Sequence, residues 1–241
     1  MLRTLQSIAG RLGIQVSRRS SVPFGTDPYV DLRSLAPDLE LAFDVGGNIG
    51  QTVDRLRKVF PTARIISFEP VPEAFRFLSA KSAADSRVEC VPVAMGDKPG
   101  SAAMAVQGHR GQNTLFTPSK DDFETITVEV QTLDGFCEER GIASVDFVKI
   151  DVEGFEPSVL RGARRLLERG AIRFVLAECE FTPAPAEPHG DFFEITRLLL
   201  PFGYRVVALY SGGVDGNGWK WGDVLFMRPE LSRPVRCSPY A

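Results

Sequence analysis

An apolar run, Leu41-Ala-Phe-Asp-Val45, closes on Gly46-Gly47, and Ile49, Val53, Leu56 and Phe60 then recur at helical spacing. Strand, tight glycine turn and amphipathic helix in that order are the opening unit of a parallel α/β sheet. Pro61 ends the helix, and Arg64-Ile-Ile-Ser-Phe68 reads as a second buried strand that delivers Glu69 at its end. Pro72 is placed for a first helical turn, with Val71, Phe75 and Leu78 on one face.

The alternation continues. Val88 to Val93 is a third strand, Leu133 to Arg140 a short helix and Val145 to Ile150 a fourth strand. Pro157 opens a helix with Val159, Ala163, Leu166 and Leu167 on one face, and Ile172 to Ala177 is a fifth strand. Phe192, Ile195 and Leu199 mark another helix, followed by strands at Tyr204 to Tyr210 and Val224 to Met227. Right-handed crossovers force such a chain into a mostly parallel sheet with helices on both faces. Only a glycine-rich stretch, Ser211 to Gly222, separates the last two strands, so the last is expected to run antiparallel. Two β-rich pieces, Ala102 to Val106 and Ile126 to Gln131, flank a loop and read as an inserted β-hairpin.

The expected architecture is a doubly wound, seven-stranded Rossmann-like α/β sheet, the methyltransferase variant of that fold. Residues 41–241 make one domain, and residues 1–40 an N-terminal helix and linker. A 241-residue chain with 44% hydrophobic content can bury one large core. Arg3, Arg11, Arg18 and Arg19, with Leu2, Leu5, Ile8 and Leu12 at near-helical spacing, suit a short edge helix better than a transit peptide or surface anchor. The formal charge of -3 is scattered, which argues against a nucleic-acid partner. Cys90, Cys137, Cys179 and Cys237 stand far apart, without the spacing of a zinc site or a disulfide framework, and fit a reducing cytoplasm. No apolar stretch approaches the roughly 18 residues of a membrane-spanning helix.

Ligands of open α/β sheets sit beyond the carboxyl ends of the strands, so the turn Asp44 to Gly50 faces the site. Its glycines admit a ligand to the backbone, and the helix start offers N–H groups to an anion. A glycine turn alone specifies little, because glycines there serve a tight turn equally well. Glu69 adds the carboxylate that commonly holds a ribose diol. Asp44 would repel a pyrophosphate but attract the ammonium and sulfonium of S-adenosylmethionine. That favours S-adenosylmethionine over a nicotinamide dinucleotide as the ligand. A capping or turn role is the plainer alternative for Asp44, and the presence of Glu69 favours the ligand role over it.

The blocks Phe43-Asp-Val-Gly-Gly-Asn-Ile-Gly50, Phe68-Glu-Pro-Val-Pro72, Val93-Ala-Met-Gly-Asp97, Thr132-Leu-Asp134 and Val148-Lys-Ile-Asp-Val-Glu-Gly154 resemble those of the FkbM family of methyltransferases, in the family's order. The resemblance covers approximately residues 41 to 181. It implies O-methylation of hydroxyls on small molecules, sugars or glycans, and natural products. It also implies a donor site of Asp44, Gly46, Gly47, Asn48 and Gly50 at the methionine end, Glu69 and Pro70 at the ribose, Ala94, Met95 and Asp97 at the adenine, and Asp151 nearby.

An alcohol needs a base as its new bond forms. Asp151 and Glu153 follow the fourth strand, Glu178 and Glu180 the fifth, and His109 lies in the inserted hairpin. Asp151 and Glu178 are the favoured pair, with His109 the alternative. Plainer readings stand beside these: Glu153 and Glu156 favouring a helix start, Glu178 as the buried partner of Lys149, and His109 as a solvated loop residue. Asp151 and Glu178 would also suit a divalent ion such as magnesium, a second route that their spacing does not single out. Trp219 and Trp221 are expected either at the acceptor entrance or, equally, in an edge-covering contact. A non-catalytic S-adenosylmethionine-binding module and an NAD-dependent dehydrogenase are the competing classes.

Overall fold

The computed structural model describes residues 23–106, 113–114, 124–182, 190–216 and 218–229. His109, Cys237 and the arginine-bearing segment before residue 23 lie outside them. The first described helix, α1 (Pro28–Leu35), begins where the Asp27 carboxylate accepts the Tyr29 and Val30 N–H groups and Pro28 occupies the first turn. It buries Tyr29, Leu32 and Leu35 in the core shared with the next helix.

The central sheet has seven strands: β1 (Leu41–Val45), β2 (Arg64–Phe68), β3 (Val88–Val91), β8 (Val145–Ile150), β9 (Ile172–Glu180), β10 (Arg205–Asp215) and β11 (Gly218–Met227). Their order is β3-β2-β1-β8-β9-β11-β10. All neighbours are parallel except β11, which runs antiparallel to both β9 and β10. The strand order reverses between β1 and β8, and a ligand crevice opens at such a point. Helices α2 (Gln51–Val59), α3 (Pro72–Ser82), α4 (Leu133–Glu139), α5 (Glu156–Arg161), α6 (Arg164–Glu168) and α7 (Phe192–Leu199) cover the sheet. One apolar cluster lies on the side of Phe43, Val148 and Val175, the other on the side of Ala42, Phe147 and Leu176. Strand alternation sends neighbouring residues to opposite layers.

The insert is larger than a hairpin. Strands β5 (Gly100–Val106) and β7 (Glu124–Gln131) pair antiparallel as expected, but β4 (Ala94–Met95) adds parallel to β7 and β6 (Asn113–Thr114) to β5. This second sheet packs Ala94, Met104, Val128 and Val130 against Val71 and Ala74. Two-residue strands such as β4 and β6 carry no periodicity, so only pairing reveals them.

The β10–β11 hairpin is also longer than predicted. Pairing continues from Ser211↔Gly222 out to Asp215↔Gly218, so most of the glycine-rich stretch is strand rather than turn. Among the described residues, no helix is long and apolar enough to cross a membrane.

Candidate active site

A cavity of about 320 Å³ opens at the carboxyl ends of β1, β2, β8 and β9. Its size falls within the usual range of small-molecule sites. The β1 turn forms one wall. Gly46 has φ of 90°, and a Cβ there would lie 1.8 Å from the Asp151 carbonyl oxygen; one at Gly47 would lie 2.1 Å from Ser67 Oγ. Only glycine fits either place.

The Gly46 and Gly47 N–H groups both donate to the Phe68 carbonyl, at 3.0 and 2.9 Å. Asn48 N–H donates to Glu69 Oε2 and Val71 N–H to Glu69 Oε1, each at 2.8 Å. Glu69 is therefore fixed in rotamer while each carboxylate oxygen retains a lone pair for a further donor. Burial raises its pKa, and the two amides oppose that rise.

Asp44 lies beneath this turn and does not line the cavity. It is fully buried; Oδ2 accepts from Ser67 Oγ at 2.7 Å, and Oδ1 has no hydrogen-bond partner among the described residues. Burial pushes its carboxyl up to about 6, against the lowering effects of the Ser67 hydroxyl and Lys149.

The lining beside this turn is acidic: Asp151, Glu153 and Glu178 all contribute to it. Lys149 is buried beneath them and donates to Asp151 Oδ2 at 3.2 Å and Asp223 Oδ1 at 2.9 Å. Its hydrogen-bonded partners are these two aspartates rather than Glu178. Burial works against the ammonium charge, but Asp151 and Asp223 outweigh it and hold Lys149 well above the usual lysine range. Burial first, then the charge of Asp151, pushes Glu178 up to about 9 and Glu153 up to about 7.

Glu153 has a positive φ of 52°, followed by Gly154 at 100°. Such a backbone is uncommon for a residue with a side chain and persists where surrounding bonds hold it. Here Glu156 holds it. The buried Glu156 carboxylate accepts N–H groups from Val152 at 2.9 Å and Gly154 at 3.3 Å, bracketing Glu153. Its other oxygen has no hydrogen-bond partner among the described residues, and burial raises the group to about 7.

These elevated carboxyls make an expected result for stability against pH. Asp44, Glu153, Glu156 and Glu178 bind protons more tightly folded than unfolded, so their contribution is complete below about pH 4. It is lost as pH rises through about 6 to 7 for the first three and about 9 for Glu178. Thermal unfolding of the ligand-free protein should show less of this fall above pH 7 in Glu178→Gln than in wild type. Parallel curves would refute the assignment of that elevation to Glu178.

Of the residues singled out from sequence, Gly46, Gly47, Asn48, Glu69, Pro70, Ala94, Met95, Asp151 and Glu178 line the one cavity. Asp44, Gly50 and Asp97 do not line it; Asp97 engages the Ser158 hydroxyl instead. Sequence reading missed Gln51, Thr52, Met104 and Val152 as lining residues and passed over Glu153 for the favoured pair. Met104 comes from the inserted sheet, and no local signal marks it. The paired positive φ values at Glu153-Gly154 had a signal in the glycine. Among the described residues, no three His, Cys, Asp or Glu side chains gather as a metal site.

The residues present fit S-adenosylmethionine. The glycine cradle excludes any Cβ, Glu69 is fixed for two hydroxyls, and the acidic wall complements an ammonium and a sulfonium. Sheet order, the single antiparallel strand and this site define the class of Rossmann-like, S-adenosylmethionine-dependent methyltransferases. The family model described as "Methyltransferase FkbM domain" matches residues 44–206, and the chain belongs to that family.

Its curated relatives include the 2-O-methyltransferase NoeI of Sinorhizobium fredii, 27% identical over 72% of this chain and 76% of that protein. Another is the 31-O-demethyl-FK506 methyltransferase FkbM of Streptomyces tacrolimicus, 29% identical over 70% of this chain and 74% of that protein. Among solved structures, Aeropyrum pernix fibrillarin with natively bound S-adenosyl-L-methionine is similar at a TM-score of 0.47 and 15% identity, covering 78% of this chain and 66% of that one. Family membership removes the dehydrogenase reading.

Proposed function

We propose that the protein is an O-methyltransferase acting on a hydroxyl of a small molecule, a sugar or glycan unit, or a natural product. One observation carries this reading: a donor-type wall and a wall of three carboxyl groups, Asp151, Glu153 and Glu178, share a single cavity. A hydroxyl, unlike a neutral amine, needs a base while its oxygen forms the new bond. The names of the NoeI and FkbM relatives, both of which specify oxygen, support the same choice.

In this proposal Gly46, Gly47 and Asn48 receive the methionine part of the cofactor, Glu69 and Pro70 the ribose, and Ala94 and Met95 the adenine. Asp44 acts through its charge from behind the turn. Gly50 shapes the start of α2, and Asp97 positions the adenine-side turn through Ser158. When bound, S-adenosylmethionine supplies a sulfonium-activated methyl group, whose transfer leaves S-adenosylhomocysteine and a proton for the chain to take up.

The carboxyl groups divide that work. Glu178, raised to about 9, carries its proton at neutral pH and is a hydrogen-bond donor rather than the base. Asp151 is tied to Lys149 and orients the donor side. Glu153, at about 7, matches the operating pH, and its carboxylate takes the acceptor proton. Lining the cavity and poised near neutrality, it takes the place of Asp151 and Glu178 as the proposed base.

Mass spectrometry of hydroxylated acceptor libraries incubated with methyl-labelled S-adenosylmethionine tests the reading. Labelled methyl ethers are expected. Tight binding of S-adenosylhomocysteine without transfer to any acceptor would favour the non-catalytic module. By calorimetry, Glu69→Ala should weaken S-adenosylmethionine and S-adenosylhomocysteine alike, by about 30-fold or more, as two charge-assisted hydrogen bonds are lost. Unchanged affinities would place the ribose elsewhere.

A further inference from the structure

The turn that carries Glu153 is held from outside the cavity. Glu156 heads α5, and neither it nor Gly190 is among the residues that line the opening. Glu156 is 1% exposed, and a single oxygen, Oε1, accepts both the Val152 and the Gly154 N–H groups, at 2.9 and 3.3 Å. Burying a carboxyl whose other oxygen lacks a partner among the described residues works against folding. The bonds on either side of Glu153 offset that penalty.

Gly190 closes on the second oxygen. A Cβ there would lie 2.3 Å from Glu156 Oε2 and 3.0 Å from both Glu156 Cδ and the Glu178 carbonyl oxygen. The Gly190 backbone is outside the left-handed region, so space rather than φ requires glycine at this place. Its position is itself fixed. The Gly190 carbonyl accepts the Glu180 N–H at 2.8 Å, Asp191 bridges to Glu180, and the Asp191 carboxylate caps α7 through the Phe193 and Glu194 N–H groups. Arg161 of α5 pairs with Glu194 of α7 at 2.9 Å across the same junction.

We propose that Glu156, backed by Gly190, is the positioning residue of the base: it fixes the Glu153 backbone in the left-handed region and so keeps the Glu153 side chain in the cavity lining. The inference rests on the O-methyltransferase reading, with Glu153 as base. The angle φ sets the direction in which a side chain leaves the backbone, so relaxing Glu153 from 52° to an ordinary negative value redirects its carboxylate. A misplacement of about 1 Å can cost about 10²-fold in rate. The two N–H groups need only an acceptor at Oε1, which a glutamine amide oxygen supplies and an alanine does not. Gly190→Ala acts by another route, pressing a methyl group into the space of Oε2.

Glu156→Ala, Glu156→Gln and Gly190→Ala, each saturated with S-adenosylhomocysteine, are compared with wild type by carbon-13 NMR of labelled glutamate carboxyls. The Glu153 signal is identified by its loss in Glu153→Gln. Wild type and Glu156→Gln should titrate at about 7 there, where burial, Asp151 and Glu180 hold the group. The two alanine variants should move it toward the ordinary glutamate range as the carboxylate turns to water. Labelled methyl transfer to neutral methyl hexopyranosides should fall about 10²-fold in kcat in both alanine variants and stay within a few-fold in Glu156→Gln. S-adenosylhomocysteine affinity, by calorimetry, should be unchanged in all three. Should Glu156→Ala not fold, Gly190→Ala carries the test with the carboxylate intact. An unmoved Glu153 titration in Gly190→Ala, a Glu156→Gln as impaired as Glu156→Ala, or a loss of S-adenosylhomocysteine affinity parallel to the loss of rate would overturn the positioning role. Methyl transfer to nitrogen or carbon acceptors alone, with the Glu153 titration displaced as expected, would overturn the O-methyltransferase reading and leave the hold of Glu156 on the turn.

Discussion

Glu153→Gln is expected to reduce kcat by about 10²–10⁴-fold, the usual contribution of a general base, while S-adenosylhomocysteine affinity stays within a few-fold. Glutamine preserves size and faces the same positive φ, so the Glu156-held turn should persist. The pH profile supplies the second readout. For wild type, kcat/KM should rise as Glu153 ionises through about 7 and fall as Glu178 loses its proton near about 9. Glu153→Gln should lose the acidic limb, and Glu178→Gln the alkaline one. If Glu153→Gln turns over at the wild-type rate and Asp151→Asn does not, the base is Asp151. A loss confined to His109→Ala would move the base to the inserted loop.

Lys149→Met carries the largest expected cost in stability. The substitution fills much of the same volume but removes the ammonium that serves Asp151 and Asp223, near the half-buried Glu153 and Glu178. Breaking a buried pair by removing one partner typically costs about 3–5 kcal/mol. The lower end applies, because the Asp151 and Asp223 side chains keep 42% and 31% exposure and are partly rehydrated. A loss of about 3 kcal/mol lowers Tm by roughly 6–12 °C in a chain of this size. Adding Asp223→Asn should recover part of the loss, since one stranded carboxylate is then neutral. An unchanged Tm in Lys149→Met, measured by differential scanning calorimetry near pH 7.5, would show that these ion pairs contribute nothing net.

Local chemistry explains why the glycine-turn wall of the cavity was readable in advance. The Leu41–Val45 run, the glycines after it and the helical recurrence from Ile49 to Phe60 are neighbours in sequence. They dictate strand, turn and helix before any distant contact forms. Glu69 follows because the next strand of such a unit must lie alongside, as β2 does with β1 in register from Leu41↔Arg64 to Val45↔Phe68. The antiparallel last strand was likewise legible, since the glycine-rich stretch before it, Ser211 to Gly222, carries no helical pattern for a crossover.

The division of labour among the acids was a different matter, because a carboxylate's state depends on what burial and pairing place around it. Sequence brought Asp151, Glu153, Glu178 and Lys149 to neighbouring strand ends. Only the insertion of β11 between β9 and β10 brought Asp223 to Lys149, leaving Glu178 half-buried among like charges that raise its pKa. The same pairing set Trp221 on Gly212-Gly213 beside Glu180, and the second sheet brought Met104 into the cavity. The strand and helix pattern, the glycine turn and the place of Glu69 at the end of β2 were thus determined by the sequence itself, through periodicity and turn chemistry that act within one βα unit. Which acids burial raises, which aspartates pair with Lys149 and which backbone Trp221 rests on were decided by tertiary structure. Each of these depends on strand register between segments far apart in the chain, and on the loss of water that follows from it.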